Sequence, residues 1–467
     1  MNTRRMMRWA IVLFLLAALP VVTAVVAQGQ EPAGKAPLPA VMEVGESPTS
    51  VPWVNNETQY NDTLATAESK YLCGDGYYFN CVLGGTINGP GDVDYWGLEV
   101  GTDYVTHFPV LLDIDARSFN SPLDAVICLY ADDGVLVGCN DDTDTYDSML
   151  YFNFEKGRTY YLRVTDWGGR GGSDFKYQLY ASTPLLISAT TSGTVAGIRF
   201  QPGDVLAYSC ADGLGDPLYF GCHAWKWEKW VMFLDLSDLQ VAGNLSNLAA
   251  GWRNSDLLFL GFAGNVTLPG VAGPVTPWEV VTFNPTQIGP ATAGSFARWW
   301  SGKDYGLTTA GEKIDALDWP VWQGYTRLYV STAGAANMGA YPNTTVLADE
   351  DVGLFTWPGA GDSGWMRFFD GNGVDGVAVE DVVAMDVAEY GGSPFLRSWM
   401  MLVIQGSGVV GENRLRVTQK DIFKVYRTRN SDPDWPWNAE LFWHGPTHGW
   451  NYNIDAIDSP VLDMGSL

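Results

Sequence analysis

Only four histidines occur in 467 residues, so imidazole chemistry has few places to sit. His444 and His448 are four apart, the spacing at which a helix would aim both at one metal ion. Pro446 lies between them and opposes a helix, which leaves a polar strand end as the simpler reading. Ser363, in Gly361-Asp362-Ser363-Gly364, could serve as an acyl-transfer nucleophile if a histidine and an aspartate activated it. The same segment aligns with Thr292–Ser295, the turn before a strand, and is read as a turn. Asp315 and Asp455 share one repeat position with Asn247 and Val383, while Asp318, Asp386 and Asp458 share another. A ring that gathered these carboxylates would suit a hard cation such as calcium. The preferred reading is that each caps its own turn through an Asx hydrogen bond. Tryptophans number 20. Trp230, Trp299, Trp300 and Trp443 fall on strands and read as core. Trp225, Trp227, Trp319, Trp322, Trp435 and Trp437 fall in connections, where an aromatic platform for sugars or polymer chains competes with packing under long loops.

The elements that must hold these residues repeat. From about 190 to 467 a unit of four strand-like pieces recurs, best seen as Ser295–Trp300, Lys313–Asp318, Arg327–Ser331 and Asp351–Trp357. An acidic residue heads its last strand at Asp204, Glu279, Asp351 and Asp421, at gaps of 75, 72 and 70 residues. Four strands at constant period indicate a propeller or an array. The chain ends on half a unit, Glu440–Trp443 with Asn453–Asp458, and begins the repeat with Gly197–Phe200 and Asp204–Tyr208. Sharing one unit between the ends would seal a ring without open edges. The expectation is therefore a β-propeller-like domain at 190–467 with four blades, closed by N- and C-terminal strands.

Ahead of it, residues 57–183 show short alternating strands with a turn every 8–12 residues, the pattern of a sandwich. Tyr104–Ala116, Met149–Phe154, Thr159–Thr165 and Phe175–Ala181 are its clearest strands. Cys128 and Cys139 face each other across a hairpin that turns at Asp132-Asp133-Gly134. Cys73 with Cys81, and Cys210 with Cys222, form two more near pairs, so three local disulfides are expected in an oxidising compartment.

This half resembles the bacterial pre-peptidase C-terminal domain. The ordered set that carries the resemblance is Asn61-Asp62-Thr63 with Ala65 and Ala67, then Gly89 through Trp96, Ser121-Pro122-Leu123-Asp124, Asn140-Asp141-Asp142, Asp147-Ser148, Thr159–Val164 and the turn at 168–172. The resemblance implies a small jelly-roll-like β-sandwich, appended to secreted proteins and commonly found beside a peptidase. Collagen-binding relatives chelate calcium with an acidic N-terminal segment ending in Asn-Asp. Glu57, Asn61 and Asp62 match that segment, Gln59 stands where an acid is expected, and Asp92 and Asp94 are further oxygen donors. The repeats behind also resemble those of other secreted bacterial proteins, to which no function attaches.

Residues 1–27 read as a secretory signal: Arg4, Arg5 and Arg8, an apolar run from Trp9 to Val22, and small residues before Gln28. The run is too short to span a bilayer, so no membrane span is expected after its removal. Residues 28–56 are a Pro-, Gly- and Ala-rich linker. The net charge of −26 opposes nucleic-acid binding, which requires basic surface to displace counterions. The whole is all-β, and the expected role is a secreted, non-enzymatic protein that attaches to an extracellular polymer or a surface protein, with no cofactor expected and calcium as the one candidate. The alternatives are a calcium-dependent hydrolase with its site in the propeller channel, or an accessory part of a secreted peptidase system.

Overall fold

The computed structural model describes residues 55–57, 61–71, 80–99, 107–141, 147–155, 157–182, 184–209, 229–250, 257–319, 327–338, 345–357, 364–371, 381–388, 399–411, 414–427 and 437–458. These residues form β-strands joined by turns and short 3-10 segments. Among them, no helix is long and apolar enough to cross a membrane.

The first half contains two five-stranded sheets. One runs Asn55–Asn56, Asn80–Thr86, Lys176–Ser182, His107–Asp115, Met149–Glu155, and the other Glu68–Tyr71, Asp94–Glu99, Thr159–Asp166, Ala125–Tyr130, Leu136–Asn140. Strict alternation along Thr159–Asp166 buries Tyr160, Leu162 and Val164, because successive side chains leave opposite faces of a strand. Those residues join Leu83, Trp96, Leu112, Ile127 and Leu179 in a single core between the sheets. The expected hairpin is present. Cys128 is the register partner of Cys139, a disulfide joins them, and Gly134 supplies the left-handed backbone of the turn at φ 80°. Cys73, Cys210 and Cys222 lie outside the described residues, and nothing is described of the Cys81 side chain, so the other two pairings are not seen.

The second half contains four four-stranded antiparallel sheets. In order from the inner strand outward, the second sheet is Leu245–Ala250, Leu258–Phe262, Glu279–Gln287, Ala293–Ser301. The third is Ile314–Asp318, Arg327–Thr332, Val352–Thr356, Gly364–Phe369, and the fourth is Val382–Ala388, Trp399–Ile404, Asp421–Arg427, Trp437–His444. The closing sheet takes its inner strand, Ile454–Asp458, from the end of the chain. Its other three strands, Pro184–Ala189, Val205–Ser209 and Lys229–Leu234, come from the beginning of the repeat region.

Runs such as Leu258–Phe262 are buried on both faces, which is why the sequence there is continuously apolar instead of alternating. Leu258, Leu260 and Phe262 face the closing sheet's core, while Phe259 faces the third sheet's. A separate apolar core fills each gap: closing–second, second–third, third–fourth, and fourth–closing. The inner strands neighbour one another in the same cyclic order. Leu245–Ala250 and Val382–Ala388 each lie between Ile314–Asp318 and Ile454–Asp458.

Three expectations are corrected by this pairing. Ser295–Trp300 does not open a sheet. It is the outer strand of the sheet before it, so each unit starts one strand later, at Leu245, Ile314 and Val382. Glu440–Trp443 likewise belongs to the fourth sheet's outer strand and not to the shared one. The partner of the last strand is Pro184–Ala189, with Leu186 opposite Asp458 and Ile187 opposite Ile457. The expected first strand, Gly197–Phe200, instead supplies Ile198–Phe200 to a separate hairpin with Gly193–Val195.

Candidate functional site

The acid that heads the third strand of each sheet has one job, repeated four times. Asp204 accepts the backbone N–H of Gln201 at 2.8 Å, Glu279 that of Thr276 at 2.8 Å, Asp351 that of Ala348 at 3.0 Å and Asp421 that of Thr418 at 2.7 Å. The other carboxylate oxygen reaches toward the outer strand. Asp204 takes the N–H of Leu236 at 3.0 Å and Asp351 that of Gly371 at 2.9 Å, while Glu279 meets Arg298 and Asp421 meets His444. Each acid is a clamp between a tight turn and a strand end.

This placement accounts for the histidines. His444 Nδ1 lies 2.5 Å from Asp421 Oδ1, whereas His448 Nδ1 is 2.8 Å from the Tyr208 hydroxyl in a buried aromatic cluster with Trp230, Trp443 and Trp450. The two rings serve different partners and do not form a pair of ligands. Gly361, Asp362 and Ser363 lie outside the described residues.

Every inner strand carries a β-bulge at its second residue. The register steps past Ser246, Asp315, Val383 and Asp455. The fourth member of that position is therefore Ser246, not Asn247, since Leu245 heads its strand as Ile314, Val382 and Ile454 head the others. The later position is also different from the expectation. Asp318 accepts the N–H of its own Trp319 at 2.6 Å, but its second oxygen accepts Val387 N–H at 2.9 Å from the neighbouring inner strand. Asp458 accepts Ala250 N–H at 3.1 Å, joining the last inner strand to that of the second sheet. Asn247 Nδ2 reaches the Ile314 carbonyl at 3.2 Å. These side chains tie one sheet to the next. At the bulges, the Asp315 and Asp381 carboxyls meet across the third and fourth sheets, and Asp455 meets Asn244 across the closing and second sheets. Burial, then the facing Asp381 charge, raises the Asp315 carboxyl. Burial also pushes Asp455 up to about 7 and Asp381 up to about 6. Sequence spacing missed Asp381 and Asn244, which stand just before the inner strands they serve.

In the sandwich, the edge strand Asn55–Asn56 delivers Glu57 to Thr86, whose N–H it accepts at 2.9 Å. Asp94 is 1% exposed and accepts the Tyr177 hydroxyl at 2.7 Å, which in turn accepts Trp96 Nε1–H at 2.8 Å. Tyr177 can lie there because residue 85 is glycine; a Cβ would come within 2.3 Å of the ring. Burial and the adjacent Glu57 charge push Asp94 up to about 9, and burial raises Glu57 as well. Asp92 is held in its turn by the N–H groups of Asn88 and Val93. Asn61 is buried and presents its carbonyl to Tyr95 N–H at 2.8 Å, while Asp62 is exposed. Glu57 Oε2 and Asn61 Nδ2 are enclosed without partners. The structure thus brings Glu57 and Asp94 together, sets Asp92 and Asn61 nearby, and leaves Asp62 to solvent. Among the described residues no three His, Cys, Asp or Glu side chains converge as a metal centre. The donors fit a hard cation only if neutral oxygens complete the shell; the orphaned Glu57 Oε2 is an oxygen of the right kind, whereas Asn61 Nδ2 is an N–H donor that no cation accepts.

Of the connection tryptophans, Trp225, Trp227, Trp322 and Trp435 lie outside the described residues. Trp437 begins the outer strand of the fourth sheet, and its side chain is not described. Trp319 is half-buried, 4.2 Å from the Phe259 ring and 4.9 Å from Trp299, and Trp299 is 5.7 Å from Trp357. Trp299, expected in the core beside Trp300, is only half-buried; Trp230, Trp300 and Trp443 are buried. Trp319, Trp299 and Trp357 form a row at the second–third gap. The sequence hides it because its members come from three separate segments.

No protein-family model and no curated protein matches the chain. Among solved structures, it is similar to the pre-peptidase C-terminal domain of a collagenase from Bacillus anthracis, at 15% identity and TM-score 0.19, over 25% of this chain and 94% of that one. It is also similar to a glycoside hydrolase of family 32 from Bifidobacterium adolescentis, at 9% identity and TM-score 0.20, over 78% of this chain and 67% of that one.

Proposed function

We propose that the four sheets are the blades of a closed propeller, and that the chain is an exported, non-enzymatic protein that binds an extracellular polymer. Support for closure comes from the cyclic order of inner strands and cores and from the Asp458–Ala250 bond between the last strand and the second sheet. The observation that carries the binding reading is the row of half-buried indoles Trp319, Trp299 and Trp357. Adjacent, partly exposed aromatic faces stack on sugar rings and on apolar polymer segments. The acids at repeated positions, by contrast, serve as clamps and ties between sheets. On the sandwich, the Glu57–Asp94 pair is the place for calcium, where it would stabilise the start of the fold.

The test is retention of the mature chain on a panel of insoluble glycans and matrix proteins, with calcium or with chelator. Binding to one polymer class that is lost in Trp299→Ala, with unchanged thermal unfolding, is the expected result. Release of soluble products from any of these polymers by the purified chain would overturn it.

A further inference from the structure

The outer strand of every sheet carries a bulge near its end, and an aromatic residue stands at each one. The register steps past Phe233, Trp299, Phe368 and Phe442. Each packs into the gap that follows its own sheet. Beyond this shared residue the gaps differ. Trp319 lies in the second–third gap, directly after the inner strand Ile314–Asp318. Counted from the strand heads Leu245 and Val382, its place is taken by Ala250 in the closing–second gap and by Val387 in the third–fourth gap, both buried. Phe355 and Phe283 hold the same register against the second strands of their sheets. Trp357 therefore corresponds to Pro285.

The fold thus fills the closing–second gap with Phe233, Ala250 and Pro285. Where the same three places recur in the second–third gap, it carries Trp299, Trp319 and Trp357. Packing between sheets does not call for the indoles, and all three stay half-buried where Phe233 and Ala250 are covered. They form a surplus of aromatic surface confined to one gap, which is what a recognition surface requires. Its shape and charge restrict what it can receive. Trp319 and Trp299 are tilted by 50°, and Trp299 and Trp357 by 45°. A flat face, such as that of a crystalline polymer, can lie on one of these rings at a time. A single chain that rotates at each linkage can follow all three. The centroid steps of 4.9 and 5.7 Å are close to the advance of a polysaccharide per sugar. Arg298, next to Trp299, is spent on Glu279 and on the carbonyls of Ala272 and Pro274. The net charge of −26 repels anionic chains.

We propose that Trp319, Trp299 and Trp357 bind a single uncharged polysaccharide chain, with successive sugar rings stacked on successive indoles, and that crystalline faces and anionic glycans are poor ligands. This rests on the polymer-binding reading and narrows it to one class of polymer. It does not depend on whether the ring closes, because the second and third sheets share a core in either case.

The experiment is affinity electrophoresis of the mature chain through soluble mixed-linkage glucan, galactomannan, arabinoxylan and polygalacturonate, with pull-down on microcrystalline cellulose and on gelatin beads. At least one neutral soluble chain should retard the protein more than polygalacturonate does, and that retardation should be unchanged by added salt, since no ion pair is involved. Trp319→Ala copies Ala250, and Trp299→Phe copies Phe233 and Phe368, so both introduce residues the fold already carries at these places. With unfolding temperatures held, Trp319→Ala should weaken binding by about three- to tenfold, and Trp299→Phe, which keeps a smaller aromatic face, by less. Trp357→Ala serves as a second deletion should Trp319→Ala unfold. Preferential binding to cellulose, polygalacturonate or gelatin, or neutral-chain binding that the folded variants leave unchanged, would overturn the proposal and leave polymer binding itself standing. No retention on any of the six polymers would overturn both.

Discussion

Asp351 illustrates what one carboxylate does four times in this molecule. It is 1% exposed, and its two oxygens satisfy Ala348 N–H and Gly371 N–H, groups that no strand ladder pairs. Truncation would leave both donors enclosed without acceptors, the costly half of losing a hydrogen bond. Asp351→Ala is expected to destabilise by about 2–4 kcal/mol in urea unfolding, with Asn recovering part of it. Glu279→Ala should cost less, about 1 kcal/mol, since its partner Arg298 is exposed and exposed ion pairs contribute little. Equal losses at the two sites would refute the clamp argument. Spacing in the sequence located all four acids but not their task, because the N–H groups they serve carry no side-chain signal. It also read His444 as a polar strand end, and the Asp421–His444 contact shows why that position is polar.

At the scale of elements, the period of the repeat was legible and its phase was not. A four-strand period can be cut at any strand, and only hydrogen-bond partners decide where one sheet ends. The outer strand Ala293–Ser301 and the inner strand Ile314–Asp318 follow each other in sequence whether or not they share a sheet. Within the unit a similar ambiguity holds: a polar residue at Asn247 invites a match to Asp315, and only strand pairing shows that Ser246, next after Leu245, is the residue in that place. The sandwich was easier to read, because one-sided burial along Thr159–Asp166 writes its alternation into the sequence. Its hairpin disulfide closes a loop of 11 residues, and loop-closure entropy at that length is worth about 2–3 kcal/mol. Replacing Cys128 and Cys139 together with serine should lower the stability of the sandwich by that amount in calorimetry and leave the transition of the four sheets in place. A shift of both transitions would mean that the halves unfold as one.

For the molecule as a whole, buried acids set the pH response. Asp94 is pushed up to about 9, Asp455 to about 7, and Asp204 and Asp381 to about 6, in each case chiefly by burial. Their unfolded values lie near 4, so the folded chain binds more protons above that pH. The stability these groups contribute is complete below about pH 4 and is lost as pH rises through 6, 7 and 9. Asp166, Glu279 and Glu312 oppose this at the acid end. Despite burial, hydrogen bonds and, for Asp166 and Glu279, arginine partners hold them below their usual values, so their contribution disappears as pH falls below about 4. The unfolding temperature should be higher at pH 5 than at pH 8. A flat profile between pH 5 and 8 would contradict the burial of these carboxyls. The proposed closure makes its own demand on the whole. A chain ending at Asn453 lacks the buried Ile454, Ala456 and Ile457 and leaves Leu186 and Ile187 on an open edge. All four sheets should then lose several kcal/mol together. An open array would shed one strand and melt otherwise unchanged.

Tyr208 and His448 touch across 240 residues of sequence, beside the pairing of Pro184–Ala189 with Ile454–Asp458. In a chain delivered amino end first, this sheet emerges early with three strands and a vacant edge, and the strand that fills it arrives after those of the other three sheets. Completion of this sheet thereby waits on the other three. Until then the exposed edge is a ready site for mispairing with another chain, and a nascent chain that stalls before Ile454 keeps that edge open while the second and third sheets are already in hand.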